Sequence, residues 1–264
     1  MTSSEWIDHI HAIRAEELER VLQHYGYCFH EKDLLEIGSG SGFQLKILSS
    51  ICRSSVGLEI RGSGYGEHRI AEVREYDGRS IPFPDASFDI IFSSHVLQYL
   101  TCEQELYGEM RRVLRPGGIA VHVVPTSIWR FWSSVLHYPS RAQLVLRKVL
   151  SGASLGTGSG LRTTGKSAWF LRVFVNMLLL HRLGVRGNWF TEHFILHSRS
   201  WRRRLAGYGW IVERIDPLKL WCSGYRMIGG RLSMRGRDRV ARILGSSSMV
   251  ILARTAQNPA TSGS

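Results

Sequence analysis

The stretch Asp33-Leu-Leu-Glu-Ile-Gly-Ser-Gly-Ser-Gly42 decides the fold of this 264-residue chain. Its first five residues have the length and apolar content of a buried strand, and residues 43 to 51 resume the apolar spacing of a helix. The glycines between them permit a tight turn and let a ligand approach the backbone closely. The sequence therefore predicts a strand, a glycine turn and a helix, which together begin a βαβ unit.

Alternating strands and helices extend on both sides of this unit. Residues 4 to 25 have the spacing of an amphipathic helix, and a capping-box pattern at Thr101 precedes a helix predicted from Glu103 to Leu114, which Arg115-Pro-Gly-Gly118 should end. A later helix is predicted at 199–206. The other six strands are predicted at residues 55–60, 71–77, 88–92, 119–124, 210–215 and 248–253. This order predicts an α/β fold with a seven-stranded, mainly parallel sheet and helices on both faces.

The alternation breaks after Pro125, which predicts an insertion in the sheet. Residues 126–197 contain aromatic, leucine-rich and glycine-rich stretches without the preceding pattern. We therefore expect three parts: a ligand-binding core with its N-terminal helix at 1–125, an inserted basic and apolar lid at 126–197, and a C-terminal completion of the sheet at 198–264.

Charge divides the chain into two unlike halves. Up to Val124 there are 12 Lys and Arg against 18 Asp and Glu, a net charge of −6, and after it there are 22 against 4, a net charge of +18. A basic half is expected to face an anionic partner, such as a lipid surface, a phosphorylated substrate or a nucleic acid. The alternative is an arginine-rich proteome, because 29 of the 34 basic residues are Arg.

The cysteines and the N-terminus indicate where the protein resides. The four cysteines are scattered without metal-ligand or disulfide spacing, so we expect no metal and a reducing compartment. The first ten residues resemble neither a secretory signal nor a transit peptide. We expect a cytoplasmic protein, with contact at the inner membrane surface as a further option.

Acidic residues follow the glycine turn at intervals that suit a nucleoside. Glu59 lies 21 residues after Gly38 at the end of the second strand, where a carboxylate can accept both hydroxyl hydrogens of a ribose. Asp77 ends the third strand. A dinucleotide fingerprint would require a further glycine where Phe43 stands, so the glycine pattern by itself also suits a plain βα turn.

Three motifs in order give the chain a family resemblance over about residues 33 to 125. Leu35 to Gly42, the run Tyr76 to Ile91 and the run Met110 to Gly118 together resemble a class I S-adenosylmethionine-dependent methyltransferase with a type 11-like methyltransferase domain. The resemblance implies a Rossmann-like fold and S-adenosylmethionine as cofactor. It also implies a set of cofactor-binding residues: Glu36, Gly38, Gly40 and Gly42 beside methionine and ribose, Glu59 on the ribose diol, Asp77 and Gly78 beside the adenine, and Ser94 near the methionine end.

A second glycine-rich stretch, Gly160-Leu-Arg-Thr-Thr-Gly-Lys-Ser167, matches the phosphate-binding P-loop pattern letter for letter. A P-loop requires a hydrophobic strand leading directly into it. The preceding residues are Ser-Gly-Ala-Ser-Leu-Gly-Thr-Gly-Ser, a composition typical of coil. We therefore expect the match to be accidental, although Lys166 and Arg162 remain candidate cations over an anionic substrate.

The candidate catalytic residues are His95, Tyr99, Glu192 and His193. His95 and Tyr99 follow the fourth strand and could serve as general base or orient the acceptor. Related enzymes often have Glu-His where this chain has Gln98-Tyr99, which weakens a direct transfer of roles. His122, within an apolar strand, is expected to be a core histidine.

The expected acceptor follows from the composition of the predicted lid. Residues 127–137 and 168–180 predict two amphipathic helices too short to span a bilayer, either buried in the lid or lying in a membrane interface. The cluster Trp201-Arg-Arg-Arg204 predicts a phosphate-binding group or a solvated helix face. We expect a small anionic or amphipathic acceptor, such as a lipid-linked saccharide or sugar nucleotide. The alternatives are an RNA or protein methyltransferase, with nucleic acid supported by charge alone, and a non-catalytic cofactor-binding or membrane-surface protein.

Overall fold

The computed structural model describes residues 3–65, 68–150, 184–188, 190–223 and 232–256. The P-loop-like stretch at 160–167, the predicted helix at 168–180 and most of the Gly/Ser-rich stretch between the two predicted lid helices lie outside these residues. The division into three parts therefore stays a prediction.

The seven predicted strands form one sheet, with order β3-β2-β1-β4-β5-β7-β6. The first five strands in this order pair in parallel, while β7 is antiparallel to both β5 and β6. The fold class predicted from the sequence is thus confirmed. The strands are β1 (Asp33–Ile37), β2 (Ser54–Ile60), β3 (Val73–Tyr76), β4 (Phe88–Ser94), β5 (Leu114–Pro125), β6 (Trp210–Pro217) and β7 (Ser248–Thr255).

Helices bury their apolar sides on the sheet and create two hydrophobic clusters. One cluster contains Leu18 and Val21 of the leading helix, and the other contains Leu106 and Trp201 of later helices. The helices are α1 (Ser3–Tyr25), α2 (Phe43–Leu48), α3 (Glu103–Val113), α4 (Ser127–Leu150), α5 (Glu192–Ile195), α6 (Ser198–Gly207) and α7 (Met234–Leu244). Short 3-10 turns follow at Gly26–Cys28 and Leu97–Tyr99.

The predicted capping box of α3 is wrong. Cys102 occupies the N-cap position and no side chain caps the helix. The Thr101 hydroxyl lies 3.7 Å from the Cys102 sulfur, and Glu103, the residue before the predicted capping partner Gln104, accepts a hydrogen bond from Arg204 at 3.0 Å. The start of the helix thus carries a tertiary ion pair where the pattern predicted a local side-chain cap.

The boundary between α3 and β5 also differs from the prediction. Residues 115–118, which were expected to separate helix and strand, belong to β5, which begins at Leu114. The pairing with β4 shifts register between Phe88 and Ile90, where Leu114 and Ile119 are the respective partners. An irregularity of this kind accommodates the extra residues without ending the strand.

Two other expectations concern buried side chains. His122 is fully buried, with Nδ1 2.8 Å from the Ser93 hydroxyl oxygen, and burial lowers its pKa to about 4, as expected for a core histidine. On α6, Trp201 is buried and Arg204 turns inward to Glu103, while Arg202 and Arg203 are exposed. The arginines of this cluster therefore do not share one face.

Candidate functional site

The site lies where β1 and β4 are neighbours in the sheet. The chain continues from β1 towards β2 on one side and from β4 towards β5 on the other, so a crevice opens between their carboxyl ends. This switch point is where open α/β sheets bind ligands. The glycine turn follows β1 and Ser94 ends β4, which brings the two predicted halves of the site together.

The glycine turn requires glycine for two physical reasons. Gly38, Gly40 and Gly42 have φ values of 72°, 55° and 79°, in the left-handed region that side-chain-bearing residues seldom adopt. A Cβ added at Gly38 would lie 2.3 Å from Val96 Cγ2, and one at Gly42 would lie 2.8 Å from the Ala71 Cβ. The turn is therefore both bent and tightly packed.

Glu36 provides a buried carboxyl group beside the turn. It is 2% exposed, and no hydrogen-bond partner of its Oε2 occurs among the described residues. Burial raises the pKa of Glu36 to about 7. A buried carboxylate without a partner is costly, and the cationic amino group of S-adenosylmethionine is a ligand that would satisfy it. This observation fits the predicted role of Glu36 on the methionine side.

Glu59 and Asp77 occupy the ends of the next two strands. Glu59 is buried and accepts hydrogen bonds from the Gly40 amide at 2.7 Å and from the Ile60 amide at 3.0 Å. Its carboxylate therefore supports the glycine turn directly, a contact that the sequence pattern does not reveal. That it also holds the ribose remains a prediction.

Asp77 is exposed and belongs to a tight turn. Its Oδ1 accepts the amides of Arg79 and Ser80, each at 2.8 Å, and these bonds lower its pKa. The adjacent Gly78 has a φ of 79°, again in the left-handed region. The turn presents an ionised carboxylate at the edge where the adenine contact is predicted.

The leading helix α1 crosses the crevice, which the sequence did not indicate. His11 Nε2 lies 3.0 Å from the Ser41 hydroxyl oxygen, and the His11 ring stacks on Phe43 with centroids 4.4 Å apart. The Gln44 side-chain amide donates a hydrogen bond to the Arg14 backbone carbonyl at 3.1 Å. These contacts attach the middle of α1 to the glycine turn, so α1 covers the site as well as packing on the sheet.

His95 lies directly under this helix. Its Nε2 is 3.1 Å from Glu17 Oε1, and Glu17 is 1% exposed. Burial and the charge of Arg14 lower the pKa of His95, and the opposing charge of Glu17 does not fully compensate. The imidazole is therefore neutral at neutral pH. The only sequence signal for Glu17 was an acidic residue within an amphipathic helix, which is too common to single out.

Tyr99 lies at the outer rim of the same segment. It is 47% exposed, and partial burial raises the pKa of its phenol. Gln98 is buried; its side-chain amide donates to the His95 carbonyl at 2.8 Å, and its own carbonyl accepts from Val185 at 3.3 Å. The 3-10 turn thereby joins His95 to the segment at 184–188.

Glu192 and His193 sit in different surroundings from His95. Glu192 is buried, forms an ion pair with Arg130 at 2.8 Å and accepts the Gly184 amide at 2.9 Å, so it ties α4 to the segment before α5. His193 is partly buried 6.3 Å from the Phe131 ring, and burial lowers its pKa. These contacts account for both residues by packing, and their catalytic role stays a prediction.

Neither a cluster of metal ligands nor a membrane-spanning helix is found among the described residues. No group of three or more His, Cys, Asp or Glu side chains that could hold a metal ion occurs among them. No helix among them is long and apolar enough to cross a membrane.

Comparison with known proteins identifies the domain. The methyltransferase domain family matches residues 35–122. A "Probable S-adenosylmethionine-dependent methyltransferase" of Mycolicibacterium smegmatis is 30% identical over 119 residues, which are 42% of this chain and 44% of that protein. The malonyl-[acyl-carrier protein] O-methyltransferase of a Marinomonas species is 29% identical over 97 residues, or 33% of this chain and 36% of that protein.

A solved structure shares the fold at low identity. A chain of the complex between the Haloferax volcanii Trm112 methyltransferase activator and a methyltransferase superposes with a TM-score of 0.52 and 14% identity, covering 95% of this chain and 96% of that one. The curated relatives match over less than half of their own length. The family match ends at residue 122, before the predicted lid begins at residue 126.

Proposed function

We propose that this chain, of which residues 35–122 match the methyltransferase domain family, is a class I S-adenosylmethionine-dependent methyltransferase that methylates a small anionic or amphipathic acceptor. The observation that carries the cofactor half of this proposal is the buried, unpaired carboxyl oxygen of Glu36 beside a glycine turn at the switch point of the sheet. The buried Glu36 carboxylate would be stabilised by a cation, and the amino group in the methionine part of S-adenosylmethionine is one.

The residues around the crevice divide the work of binding. S-adenosylmethionine supplies an electrophilic methyl group on a positively charged sulfur when bound. Glu36 would hold its amino group, Glu59 and Asp77 would face its ribose and adenine, and the glycine turn would let the ligand approach the backbone closely. Methyl transfer further requires an acceptor held in line with the methyl group and water excluded, for which α1 provides a cover.

An apolar face on α4 supports the acceptor class. Four exposed side chains recur at spacings of three and four residues on one side of this helix: Ile128, Phe131, Val135 and Tyr138. Trp132 Nε1 donates to the Leu244 carbonyl at 3.2 Å, which brings the end of α7 against α4. There, the Arg242 side chain is 72% exposed and pairs with Asp238 at 2.8 Å, and Ile243 is 83% exposed. Apolar surface beside a cation suits a lipid-linked or otherwise amphipathic anion.

The first test separates cofactor binding from nucleotide binding. Calorimetric titration with S-adenosylmethionine should give micromolar affinity, and titration with ATP and Mg²⁺ should give none. The variant Asp77→Ala should weaken binding, while Glu75→Ala, which removes an exposed acid from the same strand region, should not. Binding of ATP alone would overturn the proposal.

A second test addresses the acceptor. Transfer of tritiated methyl groups from S-adenosylmethionine would be measured to three fractions: a polar lipid extract with lipid-linked saccharides, total RNA and total protein. Label in the lipid fraction supports the proposal, and label confined to RNA or protein overturns its acceptor part. For RNA, binding that weakens steeply with salt would identify phosphate-driven docking.

A further inference from the structure

A buried carboxylate on the leading helix holds His95 in one orientation. Glu17 Oε1 lies 3.1 Å from His95 Nε2, and Glu17 Oε2 lies 2.5 Å from Arg14. Both carboxylate oxygens thus have partners, and the group is 1% exposed. One partner, Arg14, lies on α1 itself, and the other, His95, follows directly after β4.

The charge state of the pair is set by its surroundings. Burial raises the pKa of Glu17, but the charges of His95 and Arg14 and the hydrogen bonds lower it more, so the pKa lies well below the usual range. Glu17 is therefore ionised, whereas His95 is neutral. A neutral imidazole beside a carboxylate donates its N–H to that carboxylate. Nε2 then carries the hydrogen, and Nδ1 keeps a lone pair.

The backbone of His95 is unusual in a way that matches this arrangement. Its φ is 56°, in the left-handed region, and its amide donates to the Val123 carbonyl at 2.8 Å. Gln98 donates to its carbonyl. A non-glycine residue held in this region by surrounding contacts is characteristic of functional sites. Here the conformation turns the imidazole from the end of β4 towards α1.

We propose that Glu17 is a positioning residue that fixes the tautomer and orientation of His95, so that His95 Nδ1 accepts a proton from the methyl acceptor. In that step the O–H or N–H bond of the acceptor breaks and its hydrogen forms an N–H bond at Nδ1. The acceptor atom uses the released electron pair to bind the methyl carbon, whose bond to sulfur breaks with the pair remaining on sulfur. The imidazolium that forms lies against the Glu17 carboxylate.

This inference rests on the proposed function and requires a test that does not need the acceptor. The protein would be labelled with ¹⁵N-histidine, and the imidazole signals of His95, assigned with His95→Asn, would be followed from pH 5 to 8. In the native protein the Nε2–H tautomer should dominate. In Glu17→Gln that preference should be lost and the pKa of His95 should fall, because the negative charge that raises it is gone.

Two further variants keep the test decisive. Glu16→Gln makes the same charge change one residue earlier on α1, where Glu16 pairs with Arg20 at 2.6 Å, and should leave the His95 signals unchanged. Glu17→Asp keeps the charge and should restore part of the tautomer preference if Glu17→Gln folds poorly. Unchanged His95 signals in a folded Glu17→Gln protein would overturn the inference. Native protein that fails to bind S-adenosylmethionine would instead overturn the proposed function.

Discussion

Replacing Glu36 by glutamine should abolish a pH dependence of cofactor binding that the native protein shows. Burial raises the pKa of Glu36 to about 7, so much of the carboxyl group is protonated below that pH. A protonated carboxyl cannot pair with the amino cation of S-adenosylmethionine. Binding therefore releases a proton at low pH, and affinity should rise as the pH rises towards and past the pKa.

The magnitude follows from the ionised fraction. For a pKa of about 7, the ionised fraction grows roughly eightfold between pH 6.0 and 7.5, which corresponds to about 1.2 kcal/mol in binding free energy. At pH 7.5 the loss of a charge-assisted contact in Glu36→Gln should weaken affinity by about 1.5–3 kcal/mol, or roughly 10- to 150-fold. The variant should show little change in affinity across the same pH range.

The assay is calorimetric titration with S-adenosylmethionine at pH 6.0, 6.8 and 7.5. The range stops there because an α-amino group itself titrates at about 7.7–8.0. Repeating each titration in buffers of different ionisation enthalpy counts the protons released on binding. Glu75→Gln, an exposed acid paired with Arg69, is the matched control and should retain the native slope. Equal slopes in the native protein and Glu36→Gln would refute the reasoning.

Three further predictions concern the turn, the lid and the adenine edge. Left-handed backbone strain costs a residue with a side chain about 1–3 kcal/mol. Gly38→Ala should destabilise the fold by more than this, because its Cβ would also overlap Val96. Gly62→Ala is the control: Gly62 has a φ of 73°, but no described atom lies within 4 Å of an added Cβ, so this variant measures the backbone strain alone. Equal urea midpoints for Gly38→Ala and Gly62→Ala would contradict the prediction. Glu192→Gln breaks a buried ion pair, so urea unfolding should show a loss of about 3–5 kcal/mol of stability. Calorimetry should show native cofactor affinity. Weakened affinity in a folded Glu192→Gln protein would instead favour a role of Glu192 in the site. Asp77→Ala should weaken cofactor binding about tenfold while keeping a urea midpoint close to that of the native protein, since its side chain is exposed.

Local patterns were sufficient for the sheet and the glycine turn. A five-residue apolar strand followed by three glycines can satisfy its backbone and bury its side chains in few ways, and Gly38, Gly40 and Gly42 all adopt the positive φ that such a turn requires. Strands alternating with helices likewise imply parallel pairing, because a parallel connection needs a crossover. These features depend on neighbours in the chain, so the sequence alone determined them.

Contacts between distant residues could not be predicted in this way. Thr101 and Gln104 form a capping-box pattern, yet no side chain caps the helix, and Glu103 between them pairs with Arg204, about a hundred residues away. Glu192, next to His193, was a catalytic candidate from the sequence, and the structure surrounds it with Arg130 and the Gly184 amide. In each case a buried carboxylate takes the partner that satisfies its charge, which local spacing does not reveal.

By itself, then, the sequence determined the α/β class, the positions of the strands along the chain and the glycine turn after the first strand, because these follow from local periodicity and turn chemistry. Only the tertiary structure decided that α1 crosses the crevice and that Glu17 meets His95, which is 78 positions later in the chain. It also decided that Glu59 supports the glycine turn. Those pairings arise from packing and from the cost of burying an unpaired charge, and both are properties of the folded chain.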